Sequence, residues 1–127
     1  MLKLKNFDHL VLNTANLAAC LHFYVDILGM RHKKLNGRHA LYFGGQKINI
    51  HTRPGEFLPC AQNPVGGSLD FCLIAEGNIN EIKKYLITRG IKIAEGAVPR
   101  RGALGQMESV YIYDPDGNLV EIAVYRR

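Results

Sequence analysis

The stretch "VYIYDPDGNLVE" (110–121), set beside "ALYFGGQKINIH" (40–51), decides how this chain is read. Both are twelve residues long, and each is an aromatic strand, a glycine-containing turn and an alternating strand. In this alignment His51 falls at the place of Glu121. The turn of the second copy, Asp114-Pro115-Asp116-Gly117-Asn118, is made of residues that reverse the chain by their own side-chain and backbone chemistry. The strand that follows puts Glu121 between Val120 and Ile122. An ionised carboxylate in an enclosed sheet is costly unless it is paired, hydrogen-bonded or bound to a metal.

Working outward, each copy closes a larger repeat. In the first, 7–12 reads as a strand, with Asn13 or Thr14 as the cap of a helix. Leu17, Cys20, Leu21, Tyr24 and Leu28 recur at helical spacing, and Gly29 ends the run. Strands over 30–35, 38–43 and 47–51 follow, divided by the hairpin signal Asn36-Gly37 and by Gly44-Gly45. Residues 53–67, with three prolines, are a linker. The second repeat has a strand over 68–74, then a helix capped by Asn78 with Glu81 completing a capping box. Ile79, Ile82 and Leu86 are its apolar stripe and Gly90 its end. Strands over 91–98, 107–113 and 119–125 complete it, with 99–105 a loop. The expected fold is α+β: one domain over 1–127 made of two tandem βαβββ modules, about 5–52 and 68–126, which form a cupped mixed sheet.

A chain of 127 residues, 47% hydrophobic and 21% charged, suits one globular domain. No apolar run nears the ~20 residues of a membrane span, and the N-terminal stretch has no secretory h-region. The odd set Cys20, Cys60 and Cys72 has no C-x-x-C spacing, which points to reduced thiols and a cytoplasmic location. The formal net charge is +5. No aromatic-interleaved basic stripe suggests nucleic acid or a membrane surface as partner, so the expected partner is a small anionic substrate.

Strand alternation decides which side chains share a face. Leu10 and Leu12, Ile48 and Ile50, Leu69 and Phe71, and Val120 and Ile122 form apolar ladders suited to packing on helices. The opposite faces carry His9, His51, Asp70 and Glu121. Two imidazoles and two carboxylates suit a divalent transition metal, and open positions would make the site catalytic. His22, His32 and His39 lack this symmetry and read as surface or hairpin residues. Asp114 and Asp116 are turn formers, and the cysteines are small apolar residues.

The chain resembles the vicinal oxygen chelate superfamily, that of glyoxalase I, the bleomycin- and fosfomycin-resistance proteins and the extradiol dioxygenases. The likeness covers about 5–126 and rests on "FDHLVL", "FYVDILGM" and "DPDGNLVEI". "GSLDFCLI" and "SVYIYDPDGNLVEI" narrow it to glyoxalase-domain-containing and virulence-associated, lactoylglutathione-lyase-like proteins. The resemblance implies one divalent metal per site, Zn, Ni, Mn or Fe, with His9, His51, Asp70 and Glu121 as ligands. Asp70 is shorter than the histidine usual at its place and could fall short of the ion. It implies a lyase or isomerase of the lactoylglutathione lyase type, with Glu121 as catalytic base and glutathione as an expected cosubstrate. Arg100, Arg101 and Tyr111 would bind the substrate, the arginines from a loop. Other activities within the superfamily are a thiol transferase of the fosfomycin-resistance type, an Fe(II) extradiol-type dioxygenase and a non-enzymatic ligand-binding resistance protein. Short members pair modules between chains, so a homodimer is expected.

Overall fold

The structure, a computed structural model, describes residues 1–126. The order β-α-β-β-β occurs twice, as expected. The first repeat has β1 (His9–Asn13), α1 (Leu17–Leu21), β2 (Arg31–Leu35), β3 (Arg38–Phe43) and β4 (Gln46–His51). The second has β5 (Asp70–Ile74), α2 (Ile79–Thr88), β6 (Glu95–Gly102), β7 (Gly105–Tyr113) and β8 (Leu119–Tyr125). The chain divides into two compact units, Met1–Gly66 and a second beginning at Gly67. Each unit holds one four-stranded mixed sheet, ordered β1-β4-β3-β2 in the first and β5-β8-β7-β6 in the second. In each, the first and last strands pair in parallel and the remaining pairs are antiparallel.

In the first unit, Leu12, Leu41, Ile48 and Ile50 are almost fully buried and share one sheet face by register. The helix begins later than the sequence suggests. Asn16 is its cap, accepting from the Ala19 N–H at 3.0 Å, while Thr14, just past β1, donates its N–H to the His51 carbonyl at 2.9 Å. α1 then passes into a π-helical stretch, His22–Ile27. The buried stripe keeps the ordinary i, i+3, i+4, i+7 spacing counted from Cys20. Phe23 and Ile27 are buried with Cys20 and Tyr24, whereas Leu17, Leu21 and Leu28 stay partly exposed. The β2–β3 hairpin closes at Asn36-Gly37, with φ of 53° and 75°, the left-handed pair that matches strand twist in a two-residue turn.

In the second unit, Val110, Ile112, Val120 and Ile122 form the buried face, and Ile79 and Leu86 of α2 are buried with them. Asn78 caps α2 by accepting from the N–H groups of Asn80 and Glu81. Two strand boundaries differ from expectation. Residues 91–94 are outside β6, and the supposed loop 99–105 is largely strand, turning only at Ala103-Leu104. β6 is the outermost strand, where Pro99 costs no ladder bond on the solvent side.

The "DPDGN" turn is tied down by buried side chains. Asp114, 4% exposed, accepts at Oδ1 from the N–H groups of Asp116 and Asn118, both at 2.9 Å. Asn118, 1% exposed, donates Nδ2–H to Asp114 Oδ2 at 2.8 Å and accepts the Leu69 N–H at 2.9 Å. This holds the entry to β5 against the β7–β8 connection. Gly67 is needed beside it, because a Cβ there would meet the Asp116 carbonyl oxygen at 2.5 Å with φ at +79°.

Candidate functional site

In the first unit, His9, Val11 and Asn13 of β1 share a sheet face with Lys47, Asn49 and His51 of β4, because parallel partners point the same way. His9 is level with Lys47 and His51 with Asn13. The two imidazoles therefore sit at opposite ends of the strand pair, with Cα atoms roughly 14 Å apart at ~3.3 Å per residue and ~4.8 Å between strands. Asn49 is the polar side chain of β4 nearest to His9, with Cα atoms roughly 8 Å apart on the same estimate. His9 Nδ1 lies 2.8 Å from Asp8 Oδ1. With that nitrogen protonated, Nε2 keeps its lone pair, the arrangement by which a neighbouring carboxylate orients a ligating histidine.

In the second unit, Asp70 is level with Leu119, and Cys72, Glu121 and Tyr111 form one row across β5, β8 and β7. Asp70 and Glu121 thus stand in the same diagonal relation as His9 and Asn49. The equivalence is confirmed at the ends of the two parallel pairs: Thr14 N–H bonds the His51 carbonyl, and Ala75 N–H bonds the Ala123 carbonyl. By register His9 corresponds to Asp70, Asn49 to Glu121, and His51 to Ala123. This corrects the alignment read from the sequence, in which His51 matched Glu121. Two single-residue offsets explain it: Ala40 stands at the place of Tyr111 rather than Val110, and at the equivalent pairs the turn spends four residues between Tyr42 and Lys47 but five between Tyr113 and Leu119. Equal segment lengths conceal unequal turns.

Glu121 Oε2 is buried with no hydrogen-bond partner among the described residues, as is His51 Nδ1. Desolvation pushes the adjacent Cys72 thiol up to about 11, and the Glu121 carboxylate adds to the rise. Arg100 and Arg101 are neighbours in β6 and project to opposite sides of it. Arg100 donates Nε–H to the Tyr111 hydroxyl at 2.8 Å and approaches Glu95 at 3.3 Å, so Tyr111 first, and Glu95 behind it, favour its charged form. Tyr111 is in turn the β7 neighbour of Glu121. The structure therefore gathers Arg100, Tyr111, Glu121 and Cys72 on one face, and leaves Arg101 exposed, opposite Gln106. Among the described residues, no three His, Cys, Asp or Glu side chains lie close enough together to hold a metal ion. Within each unit the register brings a single diagonal pair.

The first unit carries a feature that sequence reading missed. Lys33, Arg38, Lys47, Asn49, His51 and Phe57 line a cavity of about 590 Å³ on the face that bears His9. The signal was present in the alternation of β2, β3 and β4, which sends every second residue of three basic strands to one side.

Two repeats of this topology, each presenting a diagonal polar pair on a sheet face next to its parallel strand pair, define a duplicated βαβββ protein. The family model of the Glyoxalase/Bleomycin resistance protein/Dioxygenase superfamily matches residues 6–122, and the chain belongs to that superfamily. It is 44% identical over 119 residues to Virulence protein STM3117 of Salmonella typhimurium, covering 93% of this chain and 83% of the relative. It is similar to the solved structure of an integron cassette protein from the mobile metagenome of V. cholerae, with TM-score 0.95, 42% identity and 99% of each chain covered. Lactoylglutathione lyase from Agrobacterium tumefaciens is similar at TM-score 0.72 and 25% identity, covering 96% of this chain and 95% of that one. No helix among the described residues is long and apolar enough to cross a membrane.

Proposed function

We propose that this protein is a divalent-metal-dependent lyase or isomerase of the lactoylglutathione lyase type, acting on a small substrate with adjacent oxygens. The observation that carries the reading is Glu121: a buried carboxylate oxygen without a partner, on a strand face beside Tyr111 and Cys72. An unspent buried carboxylate is expensive unless a cation or a substrate proton meets it. The likeness to lactoylglutathione lyase supports the reaction class.

As residue types the donors suit a divalent ion, and each unit supplies one diagonal pair of them. His9 offers Nε2, Glu121 and Asp70 offer carboxylate oxygens, and Asn49, at the place in the first repeat that Glu121 has in the second, offers an amide oxygen. A divalent ion held by such donors would supply Lewis-acid polarisation of the substrate oxygens. Glu121 Oε2 takes the proton from the carbon next to the substrate carbonyl and returns it to the former carbonyl carbon, while the hydroxyl proton passes to the former carbonyl oxygen, a 1,2-shift that leaves the enzyme unchanged. Tyr111, held by Arg100, positions a polar group beside that carboxylate. Cys72 stays protonated at neutral pH and does not compete as a nucleophile.

The test is metal content after purification without added metal, followed by assay with that metal restored. His9→Ala and Glu121→Ala should lose at least tenfold in metal affinity, and Asp70→Ala less. His51→Ala should retain metal, since His51 stands at the far end of the strand pair. Loss of metal in His51→Ala with retention in His9→Ala would refute this ligand set. Wild-type protein that never takes up metal, yet binds small ligands, would make it a non-enzymatic ligand-binding member.

A further inference from the structure

We propose that the first unit carries a binding site for a compact oxyanion, a phosphate or carboxylate group, in the cavity between β2, β3 and β4. This rests on the small-molecule reading of the same sheet face and specifies the charge of the ligand. The register aligns Lys33 with Ala40 and Ala40 with Asn49, and it aligns Tyr42 with Lys47. Lys33, Arg38, Lys47, Asn49 and His51 therefore project from one face into a cavity of about 590 Å³, large enough for a small metabolite.

The cations are arranged rather than scattered. Lys33 and Lys47 both approach the Tyr42 ring, with Nζ at 4.8 and 6.0 Å from its centroid. The Arg38 guanidinium carbon lies 4.2 Å from the centroid of the Phe57 ring. Aromatic rings hold cations without neutralising them. A guanidinium held against a ring keeps in-plane N–H groups, which match the two oxygens of a carboxylate or phosphate. None of the three cations has a carboxylate within ion-pairing distance among the described residues. The cavity lining contains no acidic residue. A second, independent observation points the same way. His51, 8% exposed, lines this cavity, and its Nδ1 is buried without a partner. Three cations without an ion-paired carboxylate around one concave surface favour an anion there, and Glu56, which acts on His51 and His39 at its edge, is already held by Thr52 and Arg53.

The experiment is an NMR titration of the whole protein, freed of metal on a chelating resin and held in low-salt buffer without a carboxylate or phosphate component. The probes are inorganic phosphate and succinate, with sodium chloride as the ionic-strength control. The expected result is saturable binding of one anion per chain, with the Arg38 Nε–H and His51 ring nitrogen resonances shifting together. Arg38→Gln, Lys33→Gln and Lys47→Gln should each weaken binding at least fivefold, while Lys92→Gln, an exposed lysine of the second unit, should not. Arg38→Lys keeps the charge but loses the fork and should still bind less tightly than wild type. The probe that binds more tightly identifies the group as phosphate or carboxylate. Unsaturable shifts that sodium chloride reproduces, or equal weakening by Lys92→Gln, would overturn the proposal. Because no metal is present, failure here leaves the metal and Glu121 reading standing, and failure of that reading leaves this one standing.

Discussion

Replacing Asn118 with alanine tests whether the "DPDGN" turn is a structural clamp. Asn118 is 1% exposed and spends both ends of its amide, one on the Asp114 carboxylate and one on the Leu69 N–H. A hydrogen bond to a charged group contributes about 2 kcal/mol and a neutral one about 1 kcal/mol, so the loss is about 3 kcal/mol. With a urea m-value of about 2 kcal/mol/M for a chain of this size, the unfolding midpoint should fall by about 1.5 M. The protein has no tryptophan, so far-UV circular dichroism is the appropriate signal. Hydrogen exchange adds a local readout: the Leu69 amide should lose protection in Asn118→Ala while β3 amides keep theirs. Pro115→Ala, in the same turn but exposed, should cost under about 1 kcal/mol, mainly through the unfolded chain. A midpoint shift under about 0.3 M with Leu69 protection intact would refute the clamp and leave the turn as ordinary loop chemistry.

The Cys72 thiol, raised to about 11 by desolvation and then by Glu121, should alkylate with a rate that climbs about tenfold per pH unit up to that value. Glu121→Gln should move the inflection downward, and an unmoved inflection would separate the two residues. His39, whose ring stacks on His32 with a 2.8 Å nitrogen contact, has its pKa lowered by desolvation, then by His32 and Lys34. The folded state thus binds fewer protons there than the unfolded chain, so its contribution to stability is complete above the ordinary histidine range and lost as pH falls through 6.5 toward the depressed value. His39→Gln should flatten that part of the stability profile, measured by urea midpoints across pH 5 to 8; a profile identical to wild type would exclude this coupling.

How much of this was legible in the sequence follows from which interactions are local. Element order, the Asn36-Gly37 turn, the Asn78 cap and the helix ends at Gly29 and Gly90 depend on neighbours within a few residues, and they emerged from pattern alone. So did the alternation that separates the Leu12 and Ile48 face from the His9 and Asn49 face. The apolar stripe of the first helix was read to one side of the buried one: Cys20 and Tyr24 belong to both, but packing buries Phe23 and Ile27 rather than Leu17, Leu21 and Leu28. The arginines were read as a loop because Pro99 and Gly102 look like breakers; an outermost strand tolerates both.

The register of the parallel pairs was decided only in three dimensions. β1 finds β4, and β5 finds β8, across long stretches of intervening chain, and the offset depends on how many residues each turn consumes. One residue of offset between β3 and β7, and one more in the turn, moved Asn49, not His51, to the place of Glu121. The basic cavity is likewise tertiary, since Lys33, Arg38 and Lys47 come from three strands and meet only because antiparallel pairing sets their faces together. Sequence alone determined the alternation within each strand, since that periodicity is a property of the backbone; which side chains became neighbours between strands was determined by pairing, a property of the folded sheet.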